Sequence, residues 1–183
     1  MGTLKIAGGT LRSRRVSAPS GRAVRPTPAR VKEALFSILS NRLDNARVLD
    51  LYAGSGSLGF EALSRGAAHV TFVEAHRPTA LALQKTAREL DVADRCDVVI
   101  APAERVAARL HERYDLIFAD PPYALPYPAQ TLARLREAGA LDMESLVIYE
   151  YSAQAAAPLD ARFSVVRTER YGAVALAFLR AAA

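Results

Sequence analysis

From residue 47 onward, short apolar runs alternate with segments of helical periodicity, and that alternation leaves few folds open. Candidate strands fall at 47–52, 69–74, 97–101, 114–119 and 146–151, with helices at 58–64, 78–90, 103–110 and 128–137 between them. Leu116-Ile117-Phe118-Ala119 is apolar at consecutive positions, as expected of a strand covered on both faces of a parallel sheet. The pattern predicts an α/β, doubly wound, Rossmann-like sheet, mostly parallel. Its end differs. Segments 163–168 and 173–179, joined around Tyr171-Gly172, predict an antiparallel hairpin.

Ahead of residue 47, segments 4–7 and 14–17 can pair as a short hairpin with Gly8-Gly9 near its turn. A proline-punctuated stretch runs from Pro19 to Pro28. Then Val31, Ala34, Leu35, Ile38 and Leu39 line one helical face, with Thr27 as N-cap and Pro28 in the first turn. Charge marks the same boundary. Residues 1–47 hold ten Lys or Arg against Glu33 and Asp44, whereas the remainder holds fourteen against seventeen acids. The chain therefore divides into a basic N-terminal extension, 1–46, and a mildly acidic body, 47–183. A concentrated basic segment suits a polyanion such as nucleic acid. Arg12, Arg14, Arg15, Arg22, Arg25 and Arg30 are its candidate phosphate contacts, and Lys32 suits either that role or a solvated face.

Several classes fall away. The longest apolar runs are far below the ~18 residues a membrane span needs. The start lacks a signal-peptide core, and position 6 is not the Ser or Thr of a myristoylation signal. The single Cys96 can form neither an internal disulfide nor a thiolate cluster, which fits a reducing cytoplasm. His69, His76 and His111 are scattered without metal-ligand spacing.

The first strand runs into Asp50-Leu51-Tyr52-Ala53-Gly54-Ser55-Gly56-Ser57-Leu58-Gly59, a G-x-G-x-x-G loop opening a helix. Such a loop brings backbone amides close to a ligand. Glu74 ends the second strand, where a carboxylate can accept both hydroxyls of a ribose. Nicotinamide dinucleotides and S-adenosylmethionine both fit these features. Asp50 tilts the balance, because an acid there repels a pyrophosphate and suits the ammonium end of a methionine moiety. Candidate cofactor residues are Asp50, Ala53, Gly54, Ser55, Gly56, Gly59, Glu74, Ala75 and Ala103. Tyr52 and Phe60 are expected to pack beneath the loop.

The fourth strand runs into Asp120-Pro121-Pro122-Tyr123. Two prolines have no N–H, so this turn offers acceptors with few competing donors. It suits an NH₂ group, and Tyr123 offers a face on which a base can stack. An amine on an aromatic base is a weak nucleophile. Hydrogen bonds to Asp120 and the Pro121 carbonyl would favour a pyramidal nitrogen with its lone pair aimed at a methyl donor. Asp120, Pro121, Pro122 and Tyr123 are the candidate catalytic residues. In a doubly wound sheet the first and fourth strands are neighbours, so loop and turn should meet at their carboxyl ends.

These motifs resemble the class I S-adenosylmethionine-dependent methyltransferases. More narrowly, the chain is similar to the bacterial 16S ribosomal RNA guanine-N2 methyltransferase family. The matching stretches are Ile6-Ala7-Gly8-Gly9-Thr10, Arg25-Pro26-Thr27, Arg30-Val31-Lys32-Glu33-Ala34-Leu35-Phe36, residues 49–59, Glu61-Ala62-Leu63-Ser64-Arg65-Gly66-Ala67 and Phe72-Val73-Glu74. The resemblance implies methyl transfer to the N2 amine of a guanine in small-subunit ribosomal RNA, free or within an assembly intermediate. The chain is expected to be a cytoplasmic monomer without metal or membrane. Two positions depart from the family: Thr86 replaces a frequent Asn, and Ala101-Pro102-Ala103-Glu104 replaces an Asp or Asn that reaches adenine. Adenine recognition then falls to backbone groups or Glu104. Competing readings are an adenine-N6 or cytosine-N4 methyltransferase on DNA or RNA, a non-catalytic RNA-binding protein of the same fold, and a nicotinamide oxidoreductase.

Overall fold

The computed structural model describes residues 2–18, 28–122, 127–157 and 160–182. A two-stranded antiparallel hairpin, β1 (Gly2–Lys5) and β2 (Arg15–Ala18), leads into α1 (Ala29–Ile38). The body follows as β3 (Arg47–Asp50), α2 (Ser57–Ser64), β4 (His69–Glu74), α3 (Arg77–Glu89), β5 (Cys96–Ile100), α4 (Ala103–Val106), β6 (Leu116–Ala119), α5 (Ala129–Glu137), β7 (Leu146–Ser152), β8 (Phe163–Tyr171) and β9 (Val174–Ala181). Seven of these strands form one sheet in the order β5-β4-β3-β6-β7-β9-β8. β3 pairs in parallel with both β4 and β6, so the chain reverses its direction of travel across the sheet at the β3–β6 seam. Among the described residues no helix is long and apolar enough to cross a membrane.

Apolar side chains divide the core into two layers, one on each face of the sheet. Val48, Phe72, Leu116, Phe118, Leu146 and Ile148 point toward α1, α2 and α3, whereas Leu49, Val73, Ile117, Val147 and Tyr149 point toward α4 and α5. Successive strand residues alternate between faces, which is why consecutive apolar positions were needed in the sequence. The hairpin and α1 share the first layer. Ile6, Val16, Val31, Leu35 and Phe36 are buried in it, and Phe36 meets Phe118 with ring centroids 5.8 Å apart.

The structure corrects several local expectations. The first hairpin forms, pairing Leu4 with Val16, but its strands are shifted outward from 4–7 and 14–17, so the loop runs from 6 to 14 rather than from 8 to 13. α1 begins at Ala29 with Pro28 as its N-cap, and Thr27 lies outside the described residues. Its buried face is rotated: Lys32 and Phe36 are interior, while Ala34 and Ile38 are only partly covered. α4 is one turn followed by a 3₁₀ turn, Ala107–Arg109. The C-terminal hairpin exists, but β9 inserts between β7 and β8 and pairs antiparallel with both. β8 is left as the edge, where Arg167, Glu169 and Arg170 oppose further strand pairing.

Candidate active site

Four acids collect at the carboxyl ends of adjacent strands. Glu74 ends β4, Asp50 ends β3, Asp120 follows β6, and Glu150 lies near the end of β7. Alternation places all four on the α1–α3 face, with Phe72, Val48, Phe118 and Ile148 beneath them in the core. The seam joins the two motifs as expected: β3 and β6 run side by side, and the glycine loop and the Asp-Pro-Pro turn leave the same end of the sheet.

The loop is built on glycine conformations. Gly54 (φ 53°) and Gly56 (φ 77°) both occupy the left-handed region. A side chain at Gly56 would also strike Leu83 and Phe60, so the loop packs tightly beneath; at Gly54 the same position is open, with only the Tyr52 carbonyl 3.9 Å away. The Gly54 N–H donates to Glu74 Oε2 at 2.9 Å, and His76 N–H donates to Oε1 at 2.7 Å, which fixes that carboxylate beside the loop. Gly59 N–H donates to Asp50 Oδ2 at 3.3 Å. Ser55 is partly exposed, Ala53 is buried, Ala75 is exposed, and Ala103 is buried at the start of α4.

Burial pushes the Asp50 carboxyl up to about 7, against the Gly59 amide, and the Glu74 charge adds to the rise. Asp120 is also held well above the usual carboxylate range, first by burial and then by the charges of Glu150 and Asp50. No described residue donates a hydrogen bond to Asp120, and the next two residues, Pro121 (buried) and Pro122 (exposed), have no N–H to offer. No described Lys or Arg forms an ion pair with Asp50, Glu74 or Asp120. Acids held apart from any cation fit a ligand that brings positive charge and so favours their ionised form, as the sulfonium and ammonium of S-adenosylmethionine would. The residues present therefore fit that cofactor: Asp50 would take its ammonium and Glu74 its ribose. Among the described residues no group of three or more His, Cys, Asp or Glu is arranged to hold a metal ion.

Around this centre, Tyr52 is half-buried; burial and the nearby Glu104 carboxylate push its hydroxyl up to about 12. Glu104 thus faces Tyr52. Phe60 is fully buried against Phe72, centroids 4.9 Å apart. On the opposite face Tyr149 stacks on Tyr151 and meets the edge of Tyr127. A cavity of about 790 Å³ lies beyond, between β5 and α4, lined by Val99, Pro102, Arg105, Arg109 and Arg134 among others. Neither Asp50 nor Asp120 lines it.

Arg12, Arg14, Arg15 and Arg30 are exposed. Arg14 donates to the Glu89 carbonyl at 2.6 Å, and Arg30 lies beside the β8–β9 turn near Gly172. Tyr123, Arg22 and Arg25 lie outside the described residues. Lys32 is not a phosphate contact: it is buried, 3.2 Å from Glu61 Oε2, and also donates to the Lys5 carbonyl and Ser57 Oγ. Sequence reasoning missed this pair and missed Glu150. Its signal was a lone acid inside the apolar run Leu146-Val147-Ile148-Tyr149-Glu150-Tyr151, a strand buried along most of its length.

Comparison with known proteins adds to this geometry. A family model described as "Conserved hypothetical protein 95" matches residues 4–180. "Ribosomal RNA small subunit methyltransferase D" of Escherichia coli (strain K12) is 35% identical over 175 residues, 95% of this chain and 88% of that one. The solved structure "Putative methyltransferase yhhF from Escherichia coli" superposes with a TM-score of 0.88 at 32% identity, covering 98% of each chain. A more distant neighbour, SMU.776 complexed with SAH, shares the fold at a TM-score of 0.62 and 16% identity, over 81% of this chain and 49% of that one. The methyltransferase fold expected from the sequence is borne out.

Proposed function

Because this chain belongs to the conserved hypothetical protein 95 family and has methyltransferases among its relatives, we propose that it uses S-adenosylmethionine to methylate ribosomal RNA of the small subunit at the exocyclic N2 amine of a guanine. The observation that carries the amine as target is Asp120: a carboxyl of raised pKa beside the glycine loop, next to two prolines and without a donor among the described residues.

S-adenosylmethionine, when bound, supplies a methyl group on a sulfonium centre. The chain's own residues do the rest. Asp50 would meet the ammonium and Glu74 the ribose hydroxyls, with Gly54 leaving the loop's open side free of a side chain and Gly56 letting the loop pack closely on Leu83 and Phe60. Asp120 and the Pro121 carbonyl accept the two protons of the amine and turn its lone pair toward the methyl. After transfer the nitrogen gives up one proton, and Asp120 is placed to take it; its raised pKa suits that role. The base must be unpaired or flipped out for its amine to reach Asp120 at the strand end. The exposed Arg12, Arg14, Arg15 and Arg30, with Arg22 and Arg25, hold the phosphates from the extension, 1–46, while the body, 47–183, does the chemistry.

The test is direct. Purified protein is given labelled S-adenosylmethionine with either naked DNA or small ribosomal subunits from cells lacking the enzyme, and the digested nucleosides are identified by mass. We expect N2-methylguanosine from the subunits; label confined to DNA, or appearing as an N6-methyladenosine, rejects the reading.

A further inference from the structure

We propose that Glu150 reads the base beside its amine and makes the site selective for guanine over adenine and cytosine. This rests on the reading above that Asp120 receives an exocyclic amine.

The placement comes from strand register. β6 and β7 run parallel with Ala119 opposite Tyr149; Asp120 directly follows the end of β6, and Glu150 is the next residue on β7. Neighbouring strands lie about 4.8 Å apart, and residues in register point to the same face, so the two carboxyls stand side by side. Glu150 is only 6% exposed, deep in the site rather than on its rim. The two acids also feel each other electrically, since Glu150 is the strongest charge holding Asp120 up after burial itself. Asp120 is the second, independent pointer to a ligand: a mostly buried acceptor to which no described residue donates, next to two residues unable to do so.

Base chemistry then distinguishes the candidates. Guanine presents two adjacent donors on its pairing edge, N2–H₂ and N1–H. Adenine places its amine beside an N1 lone pair, and cytosine places its amine beside an N3 lone pair. Two neighbouring carboxyls match the guanine edge, with N2–H toward Asp120 and N1–H toward Glu150. Against adenine or cytosine the second carboxylate would face a lone pair, a repulsive element that rejects the wrong base. Asp120 alone accepts any amine; Glu150 supplies the choice.

The experiment first locates the methylated guanine by mass mapping, then assembles small-subunit particles from transcripts carrying guanine or adenine there. Wild type is expected to modify the guanine particle and to leave the adenine particle essentially untouched. Glu150→Gln keeps the side chain's shape but can turn an amide N–H toward adenine N1. Its kcat/KM on guanine should fall at least about tenfold and its guanine-to-adenine preference should narrow by a similar factor. Its melting temperature and its affinity for S-adenosylmethionine should stay near wild type. Glu150→Asp, which retains the acceptor, should keep the guanine preference, and it reads the same ratio should the glutamine variant fail to fold. Unchanged guanine turnover, or an equal fall on both particles, overturns the role of Glu150. A wild-type enzyme that modifies adenine instead overturns the reading of the reaction, whatever the variants do.

Discussion

At Glu61, a fully buried carboxylate on α2 is met by the N–H groups of Ala7 and Gly8 at 2.8 and 2.9 Å, by Arg65 Nε at 2.8 Å and by Lys32 Nζ at 3.2 Å. At Asp50 and Asp120, carboxyls on the same face of the same sheet meet no cation among the described residues. The consequences are opposite. Burial works to raise the Glu61 carboxyl, but its donors outweigh it and hold the group below the ordinary range. Burial prevails at Asp50 and Asp120 and carries both upward. A buried charge whose partners belong to the chain is structure; one whose partner is absent marks where a ligand brings the missing charge. Here the structural group also ties the basic hairpin to the helix that opens at the glycine loop. Lys32 bridges β1, Ser57 and Glu61, while Ser64 accepts the Thr10 N–H through its carbonyl and the Leu11 N–H through its hydroxyl.

The sharpest break of this contrast is Glu61→Ala. It leaves Lys32 buried without its counter-ion and two amides without an acceptor, a loss of about 3–5 kcal/mol. Thermal melting should show a fall of roughly 10 °C or more; an unchanged melting temperature would make the paired group ornamental. Next comes Asp120→Ala, expected to lower turnover by about 10²–10³-fold with RNA affinity nearly unchanged and melting temperature equal or higher. Parallel loss of stability and turnover would place Asp120 with Glu61 as a structural charge.

A smaller effect follows from Asp50. Its folded pKa of about 7 lies above the ordinary 3.8, so its contribution to stability is complete below about pH 4 and is lost as pH rises through about 7. Ammonium binding needs the carboxylate. Affinity for S-adenosylmethionine should therefore climb toward pH 7, by up to about tenfold per pH unit on the acid side, with proton release visible by calorimetry in buffers of different ionisation enthalpy. Asp50→Asn should flatten that profile. The smallest effect belongs to the surface: each of Arg12, Arg15 and Arg30 changed to Gln should weaken RNA binding modestly and reduce its salt slope by about one. A slope that stays fixed removes the hairpin from the RNA interface.

Much of the frame was readable because its causes are local. Consecutive apolar residues in β6 require cover on both faces, and the left-handed Gly54 and Gly56 require a residue without a Cβ. The β3–β6 seam was also readable, since right-handed crossovers leave a doubly wound sheet little choice. The rest was hidden for a different reason. Helical periodicity placed Lys32 on a polar face, yet α1 rotates to bury it because Glu61 is there to receive it. An antiparallel hairpin was apparent at the end, but nothing local decides that β9 rather than β8 lies against β7.

What the sequence alone determined, then, is the architecture and the two chemical motifs, since apolar period, glycine conformation and the missing N–H of proline act within a few residues. Which charges are paired and which are left for a ligand was decided only by the tertiary structure. Glu61 and Lys32, or Asp50 and Asp120, come from distant segments, and whether a buried acid is satisfied depends on what folding carries to within a few ångströms of it.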